Sequence, residues 1–123
     1  MQDDNSDFSV KVRKVEGTIV VSLGGEWDVY ARDALHDALS CTGTQTDVVI
    51  DARAASFFDS SALSEFVTFF KRVTAAGHRF ELLIGNSNIQ RILDMTGLSD
   101  VLLPSPERLA VLEEQVNAEL ERP

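Results

Sequence analysis

Two serines beside an aspartate are the residues of this chain with the clearest chemical potential. Asp59, Ser60 and Ser61 stand in a row directly before an apolar pattern of helical spacing. Helix starts favour Ser and Asp because their side chains accept hydrogen bonds from backbone N–H groups that lack a partner within the helix. The hydroxyls could also accept a phosphate, because the helix dipole stabilises a nearby anion by roughly 0.3–1 kcal/mol. The residues alone leave capping and phosphorylation as two open interpretations.

Motifs for catalysis or cofactor binding do not accompany these serines. A serine hydrolase needs a base oriented by a carboxylate, but no Gly-x-Ser-x-Gly elbow frames Ser60 or Ser61. His36 and His78 fall on a predicted helix surface and just after a helix end. Gly24-Gly25 lacks the frames of phosphate-binding loops, and the scattered histidines and acids have no metal-ligand spacing. We therefore predict a protein that is not an enzyme and holds no cofactor or metal.

Composition restricts the class of partner and the compartment. The chain has 123 residues and a formal charge of −9, which argues against nucleic acid and anionic membranes, since both attract cationic surfaces. A protein partner with a basic face suits this charge. Cys41 is the single cysteine, which fits a reducing compartment, and no apolar run reaches the roughly 18 residues of a membrane span. With a polar, acidic start at Met1–Asp7, we expect a cytoplasmic, unprocessed protein without membrane insertion.

The apolar periodicity predicts the element order β-β-α-β-α-β-α-β-α. Two early strands on either side of Glu16-Gly17 predict a hairpin, and the later alternation predicts parallel strands joined by crossovers. We expect a disordered lead-in at 1–7 and one α/β domain at 8–121, with a mixed sheet of about five strands covered by about four helices. The predicted strands are Phe8–Val15, Thr18–Leu23, Asp47–Ile50, Arg79–Ile84 and Val101–Leu103, and the helices begin at or just after Asp28, Ser60, Asn88 and Ser105.

The serines are predicted to lie between a buried strand and an amphipathic helix. Val48-Val49-Ile50 is a β-branched run typical of a strand buried on both faces, ending near Asp51, and a loop would connect it to Asp59. The residues after the serines repeat at spacings of three and four, which predicts a helix that turns one stripe to the core. Phe69 lies beside that stripe, and we interpret it as a flank of the core rather than a partner contact.

Three motifs stand within this order of elements, at Gly25–Asp28, Ser56–Leu63 and Ile92–Leu98. Together they resemble the STAS domain family, and in particular the bacterial anti-sigma factor antagonists. Ser56–Leu63, with the Asp-Ser-Ser core, is similar to the family's signature after a central strand. Gly25–Asp28 resembles the Gly-Glu-x-Asp after its second strand, and Ile92–Leu98 resembles its segment ending in Gly-Leu. The resemblance covers roughly residues 8–103, with the elements in the family's order.

The resemblance implies a partner switch controlled by phosphate. In the family, the unphosphorylated antagonist binds an anti-sigma factor that is itself a serine kinase, and phosphorylation releases it until a serine phosphatase restores the active form. The family's phosphoacceptor corresponds to Ser60, flanked by Asp59, Ser61 and Ala62, and the resemblance adds Glu26 and Asp28 to the partner-binding site. The kinase would use ATP, so this chain would need no cofactor of its own.

One position departs from the family, and one alternative function stays open. The family usually has Gly after the second serine, whereas this chain has Ala62, whose added methyl could crowd a closely approaching partner. STAS-like chains also occur as non-enzymatic subunits of membrane transport or other regulatory complexes. Such a subunit would bind constitutively, whatever the state of Ser60.

Overall fold

The strands of the chain form one sheet in the computed structural model, which describes residues 8–43 and 45–120, with side chains to Asn117. The strands are β1 (Phe8–Val15), β2 (Thr18–Trp27), β3 (Val48–Phe58) and β4 (Phe80–Ile84). The helices are α1 (Arg32–Thr42), α2 (Ser60–Ala75), α3 (Ser87–Thr96), α4 (Ser99–Leu102) and α5 (Pro106–Leu120), and a 3₁₀ turn (Val29–Ala31) precedes α1.

The sheet has the order β1-β2-β3-β4. β1 and β2 are antiparallel, while β2, β3 and β4 run parallel to one another. Glu16 and Gly17 connect the hairpin with positive φ angles of 51° and 87°, a geometry that suits the twist of a two-residue hairpin turn. The predicted α/β class, with an opening hairpin and later parallel strands, is confirmed.

The first face of the sheet carries the larger core. Side chains from β2, β3 and β4 pack here against α1, α2, α3 and α4 in one continuous buried cluster. Phe69 is buried in this cluster, which confirms its interpretation as part of the core. The largest fully buried side chains of α1 to α4 are Leu35, Leu39, Phe66, Ile89, Leu93 and Leu102.

Part of the second face is covered by α5. Leu112 and Val116 of this helix pack on Val15, Val20, Val49 and Leu83, in a cluster separate from the first. Arg108, near the start of α5, forms an ion pair with Glu81 of β4, in which Nε lies 3.1 Å from Oε1. The β-branched run Val48–Ile50 of β3 is therefore buried on both faces, as predicted.

β3 extends beyond the predicted end near Asp51 and runs to Phe58. Ala54, Ala55, Phe57 and Phe58 pair with β2 across two register shifts, so the predicted loop before Asp59 is replaced by strand. β2 likewise continues through Gly24-Gly25 to Trp27. Alanine and glycine have weak strand preference, so the local signal stops early while the pairing between the two strands continues.

Gly85, directly after β4, allows a close approach to β3. A Cβ atom at this position would lie only 2.3 Å from the carbonyl oxygen of Arg53. Only glycine fits such a contact with backbone. The spacing of the two strand ends thus depends on this residue.

Val101–Leu103 does not form the predicted fifth strand. Val101 and Leu102 belong to α4, and Leu102 is buried against the first-face core. An apolar run of three residues does not distinguish a strand from a helical turn by periodicity. The lead-in at 1–7 lies outside the described residues, and the domain limits of 8–121 stay a prediction.

Candidate functional site

The Asp-Ser-Ser segment lies where β3 passes directly into α2. Asp59 has an extended backbone and is the N-cap of α2. Its Oδ1 accepts hydrogen bonds from the Ala62 N–H at 3.0 Å and from the Ser61 hydroxyl at 2.6 Å. The capping function predicted for this segment is therefore carried by Asp59, with Ser61 supporting the carboxylate.

Ser60 has a different environment from its two neighbours. Its side chain is exposed, and its hydroxyl has no hydrogen-bond partner among the residues that the structure describes. His36 contacts Glu65 and His78 lies beside Asp47, so neither is bonded to this hydroxyl. The geometry presents Ser60 as an accessible hydroxyl at a helix start that is already capped.

The Asp59 carboxylate is stabilised in its charged form. Partial burial raises its pKa, but the hydrogen bonds from the Ser61 hydroxyl and the backbone N–H of Ala62 outweigh this effect and hold the pKa below its ordinary value. The site therefore carries a full negative charge at neutral pH, immediately beside Ser60.

Trp27, at the end of β2, forms a backbone hydrogen bond with Asp59. Its carbonyl oxygen accepts a hydrogen bond from the Asp59 N–H at 3.1 Å. Its indole ring is fully buried, and Nε1 donates to the carbonyl oxygen of Gly24 at 3.1 Å. This residue positions Asp59, a role that follows from the pairing of β2 with β3 and has no local sequence signal.

Glu26 and Asp28 lie at the same edge of the sheet as Asp59. Glu26 is exposed and pairs in register with Phe57, and Asp28 follows β2 directly. Asp28 Oδ1 accepts a hydrogen bond from the Tyr30 N–H at 3.0 Å and caps the 3₁₀ turn before α1. Asp28 is thus an N-cap as predicted, one short turn earlier than the α-helix itself. The role of both residues in partner binding stays a prediction.

Exposed apolar side chains accompany these acids. We call Val29, Tyr30, Phe57 and Ser60, at the carboxyl ends of β2 and β3, the strand-end surface. Its apolar members are 57%, 89% and 42% exposed, respectively. Exposed aromatic side chains are typical of protein interfaces. From the sequence, Tyr30 could line the Ser60 surface or be a half-buried packing residue, so the sequence alone assigns it no role.

A groove of about 400 Å³ begins at Ser60 and runs between α2 and the end of α3. Thr96 and Leu98, from the segment that resembles the family's Gly-Leu motif, contribute to its wall. Two of the three resembling segments therefore line the same groove. The groove is lined by Ser60, Leu63, Ser64, Val67, Thr68, Thr96 and Leu98.

Ala62, the departure from the family pattern, points inward. Its side chain is 1% exposed and belongs to the first-face core. The methyl group fills space inside the protein and does not project from the helix start. Crowding of a partner by this methyl, which the sequence suggested, has no basis in the geometry.

No helix in the described part of the chain is both long enough and apolar enough to cross a membrane.

Comparison with known proteins agrees with the fold. An anti-sigma-B factor antagonist of Bacillus subtilis is 33% identical over 97 residues, which cover 78% of this chain and 89% of the relative. A solved anti-sigma factor antagonist from Mycobacterium paratuberculosis superposes with a TM-score of 0.75 at 22% identity, over 91% of this chain and 97% of that one.

A further structural neighbour is the anti-sigma factor antagonist SpoIIAA. Its unphosphorylated form matches with a TM-score of 0.69 at 21% identity, covering 84% of this chain and 93% of that one. The phosphorylated form matches with a TM-score of 0.60 at 21% identity, covering 85% and 98%. At these identities, the solved structures establish the shared fold.

The part of the chain that matches a family model contains all three resembling segments. The STAS domain model matches residues 9–113, which include the four strands apart from Phe8, the Asp-Ser-Ser segment and about the first half of α5. Together with the identity to the Bacillus subtilis relative, this match means that the chain belongs to the STAS domain family.

Proposed function

We propose that this protein is a non-enzymatic anti-sigma factor antagonist that works by partner switching. Unphosphorylated, it binds an anti-sigma factor kinase through the strand-end surface and the groove beside Ser60. The kinase transfers a phosphoryl group from its own ATP to the Ser60 hydroxyl, and the modified antagonist dissociates. A serine phosphatase removes the phosphate and restores binding, all in the cytoplasm.

The single observation that carries this proposal is the exposed Ser60 hydroxyl, which makes no hydrogen bond within the described part of the chain. Asp59 already caps α2 and accepts the Ser61 hydroxyl, so modification of Ser60 removes none of the described hydrogen bonds of the helix start. The α2 dipole favours a phosphate at this end, which offsets part of the repulsion from the Asp59 carboxylate. Phosphorylation is therefore compatible with the folded state.

The effect on binding is expected to be much larger than the effect on folding. Ser60 lines the groove, and the exposed apolar side chains of the strand-end surface lie at the same carboxyl end of the sheet. A phosphate of about −1.5 to −2 charge would have to be desolvated beside Asp59 when a partner covers this area. A loss of about 3 kcal/mol is reasonable for such a buried charge and corresponds to more than a hundredfold in affinity.

The relatives support the same function. The Bacillus subtilis relative is an anti-sigma-B factor antagonist, and SpoIIAA has been solved in both phosphorylated and unphosphorylated forms. The inward orientation of Ala62 supports retention of the site despite the departure from glycine.

The test combines phosphorylation with binding. The purified protein is incubated with ATP and each anti-sigma factor kinase of its source organism, and the phosphate is located by mass spectrometry in the wild type, Ser60→Ala and Ser61→Ala. We expect phosphate on Ser60 in the wild type and in Ser61→Ala, none in Ser60→Ala, and at least a hundredfold weaker kinase binding after modification.

A different outcome would identify the alternative. A stable complex that forms equally with wild type and Ser60→Ala, without phosphate transfer, would indicate a constitutive subunit of a transport or other regulatory complex. Turnover of a substrate by the protein alone, lost in Ser60→Ala, would contradict the non-enzymatic assignment.

A further inference from the structure

The second face of the sheet carries an open groove beyond the part that α5 covers. The groove has a volume of about 860 Å³ and is lined by residues of β1, β2 and β3. The base of the groove is formed by small residues, because Ser9, Gly24 and Ala54 pair with one another across the three strands. A Cβ atom at Gly24 would lie 2.8 Å from Ser9 Oγ, so no larger side chain fits there without displacing the serine. The volume lies in the range of small-molecule sites.

Positive charge is concentrated in this groove. Three of the chain's eleven Lys and Arg residues line it, namely Lys11, Arg13 and Arg53, although the chain as a whole carries a charge of −9. Asp51 is the carboxylate in the lining, and Arg53 engages both of its oxygens, at 2.8 and 3.0 Å. These hydrogen bonds raise the pKa of Arg53 above its ordinary value. Lys11 and Arg13 remain as cations outside this pair.

Two side chains in the lining have buried donors without a described partner. Nε and Nη2 of Arg13, and the hydroxyl of Ser22, are inaccessible to solvent and make no hydrogen bond within the described part of the chain. Arg13 is half-buried, and the burial of two of its guanidinium nitrogens is costly unless an acceptor satisfies their N–H groups. The acceptors that match its planar geometry are the paired oxygens of a carboxylate or phosphate.

We propose that this groove binds a small organic anion through a phosphate or carboxylate group. The buried donors of Arg13 and Ser22 are closed to solvent in this structure, so binding requires the Arg13 side chain to rotate toward the groove. Arg13 and Ser22 then donate hydrogen bonds to the anionic group, and Lys11, which pairs in register with Ser22, adds its charge. The remainder of the ligand lies over the base of the groove at Gly24 and Ala54. The groove is on the face of the sheet opposite α2, so this site is separate from Ser60.

The experiment titrates the whole protein with two probes, inorganic phosphate and citrate, against sodium chloride at matched ionic strength. Two-dimensional NMR of the backbone amides gives the affinity and the location. We expect one or both probes to saturate, with the largest shifts in residues 9–13, 22–24 and 51–54. The preferred probe distinguishes a phosphate ligand from a carboxylate ligand.

Matched variants on one strand test the assignment. Arg13→Met and Lys11→Met change side chains on the groove face of β1, whereas Lys14→Met removes a charge from the opposite face of the same strand. We expect Arg13→Met to weaken binding about tenfold or more, as for loss of a charged hydrogen bond, and Lys14→Met to leave it unchanged. Ser22→Ala should weaken it less and provides the test if Arg13→Met does not fold.

Specific results would overturn the proposal. Binding that is equal in Arg13→Met, Ser22→Ala and wild type would mean that the groove does not hold the anion. Shifts no larger than those caused by sodium chloride, with both probes, would mean that Arg13 is only a structural residue.

Discussion

The difference between Asp59 and Ser60 gives the sharpest test of the proposed site. The structure assigns the cap of α2 to Asp59, whereas Ser60 makes no described side-chain hydrogen bond. We predict that Asp59→Ala destabilises the protein clearly, that Ser61→Ala has a smaller effect, and that Ser60→Ala leaves the free energy of unfolding nearly unchanged. The three neighbouring substitutions thus separate structure from function.

The magnitudes follow from the hydrogen bonds that each variant loses. Replacement of an Asp N-cap by Ala costs about 0.5–2 kcal/mol, and Asp59 also accepts the Ser61 hydroxyl, so we expect about 1.5 kcal/mol. Ser61→Ala removes one such bond and should cost about 0.5–1.5 kcal/mol. An exposed Ser60→Ala change should stay within about 0.5 kcal/mol of the wild type.

The pH dependence provides a second test of the same cap. The native pKa of Asp59 lies below its ordinary value because the hydrogen bonds from Ser61 and Ala62 outweigh the effect of burial. A carboxylate with a lowered native pKa stabilises the fold above its unfolded pKa of about 3.9, and this stabilisation is lost as the pH falls through the native pKa. The stability difference between wild type and Asp59→Ala should therefore be constant from neutral pH to about pH 5 and shrink below about pH 4.

Urea denaturation followed by circular dichroism, repeated across this pH range, measures both effects. Asp59→Asn is the matched control, because Asn caps helices about as well as Asp but does not titrate. It should retain more stability than Asp59→Ala at pH 7. If Ser60→Ala proves as destabilising as Asp59→Ala, the assignment of the cap and the argument that Ser60 is free for modification are both wrong.

Three further substitutions test the site and the fold. Ala62→Gly should cost about 1 kcal/mol or more in unfolding free energy, because glycine disfavours helix and the buried methyl is lost, while phosphorylation in a kinase assay should not improve. Tyr30→Ala should leave the melting temperature unchanged but weaken kinase binding about tenfold or more, as measured by calorimetry. The control is Val111→Ala, which changes an exposed side chain on α5 and should not weaken kinase binding. Gly85→Ala should lower the free energy of unfolding by about 1–3 kcal/mol, because the added Cβ would clash with the Arg53 carbonyl oxygen. A urea denaturation midpoint equal to that of the wild type would contradict this packing.

Local patterns in the sequence were sufficient for most of the fold. The turn at Glu16-Gly17, the β-branched run at Val48–Ile50 and the helical stripe after Ser60 each indicate their elements without reference to the rest of the chain. The same is true of the segment that carries the site, because the capping residues mark the start of α2. These features depend on neighbours in sequence, which is why they were predictable.

Features that depend on pairing between distant segments were not predictable. The extension of β3 to Phe58 depends on pairing with β2 across small residues, and the helical conformation of Val101-Leu102 depends on burial of Leu102. The hydrogen bond that fixes Asp59 to Trp27 follows from the same strand register. The position of Arg13 in the second-face groove also requires that register, together with knowledge of how much of the sheet α5 covers.

The division of tasks between Asp59, Ser61 and Ser60 has a consequence for protein lifetime. Because the cap does not involve Ser60, the phosphorylated and unphosphorylated chains should unfold with similar free energies and similar rates. Degradation that acts on transiently unfolded chains would then remove both forms equally. The cellular ratio of the two forms would be set by the modifying and demodifying enzymes alone, and a pool of modified protein could be stored and returned to use without new synthesis.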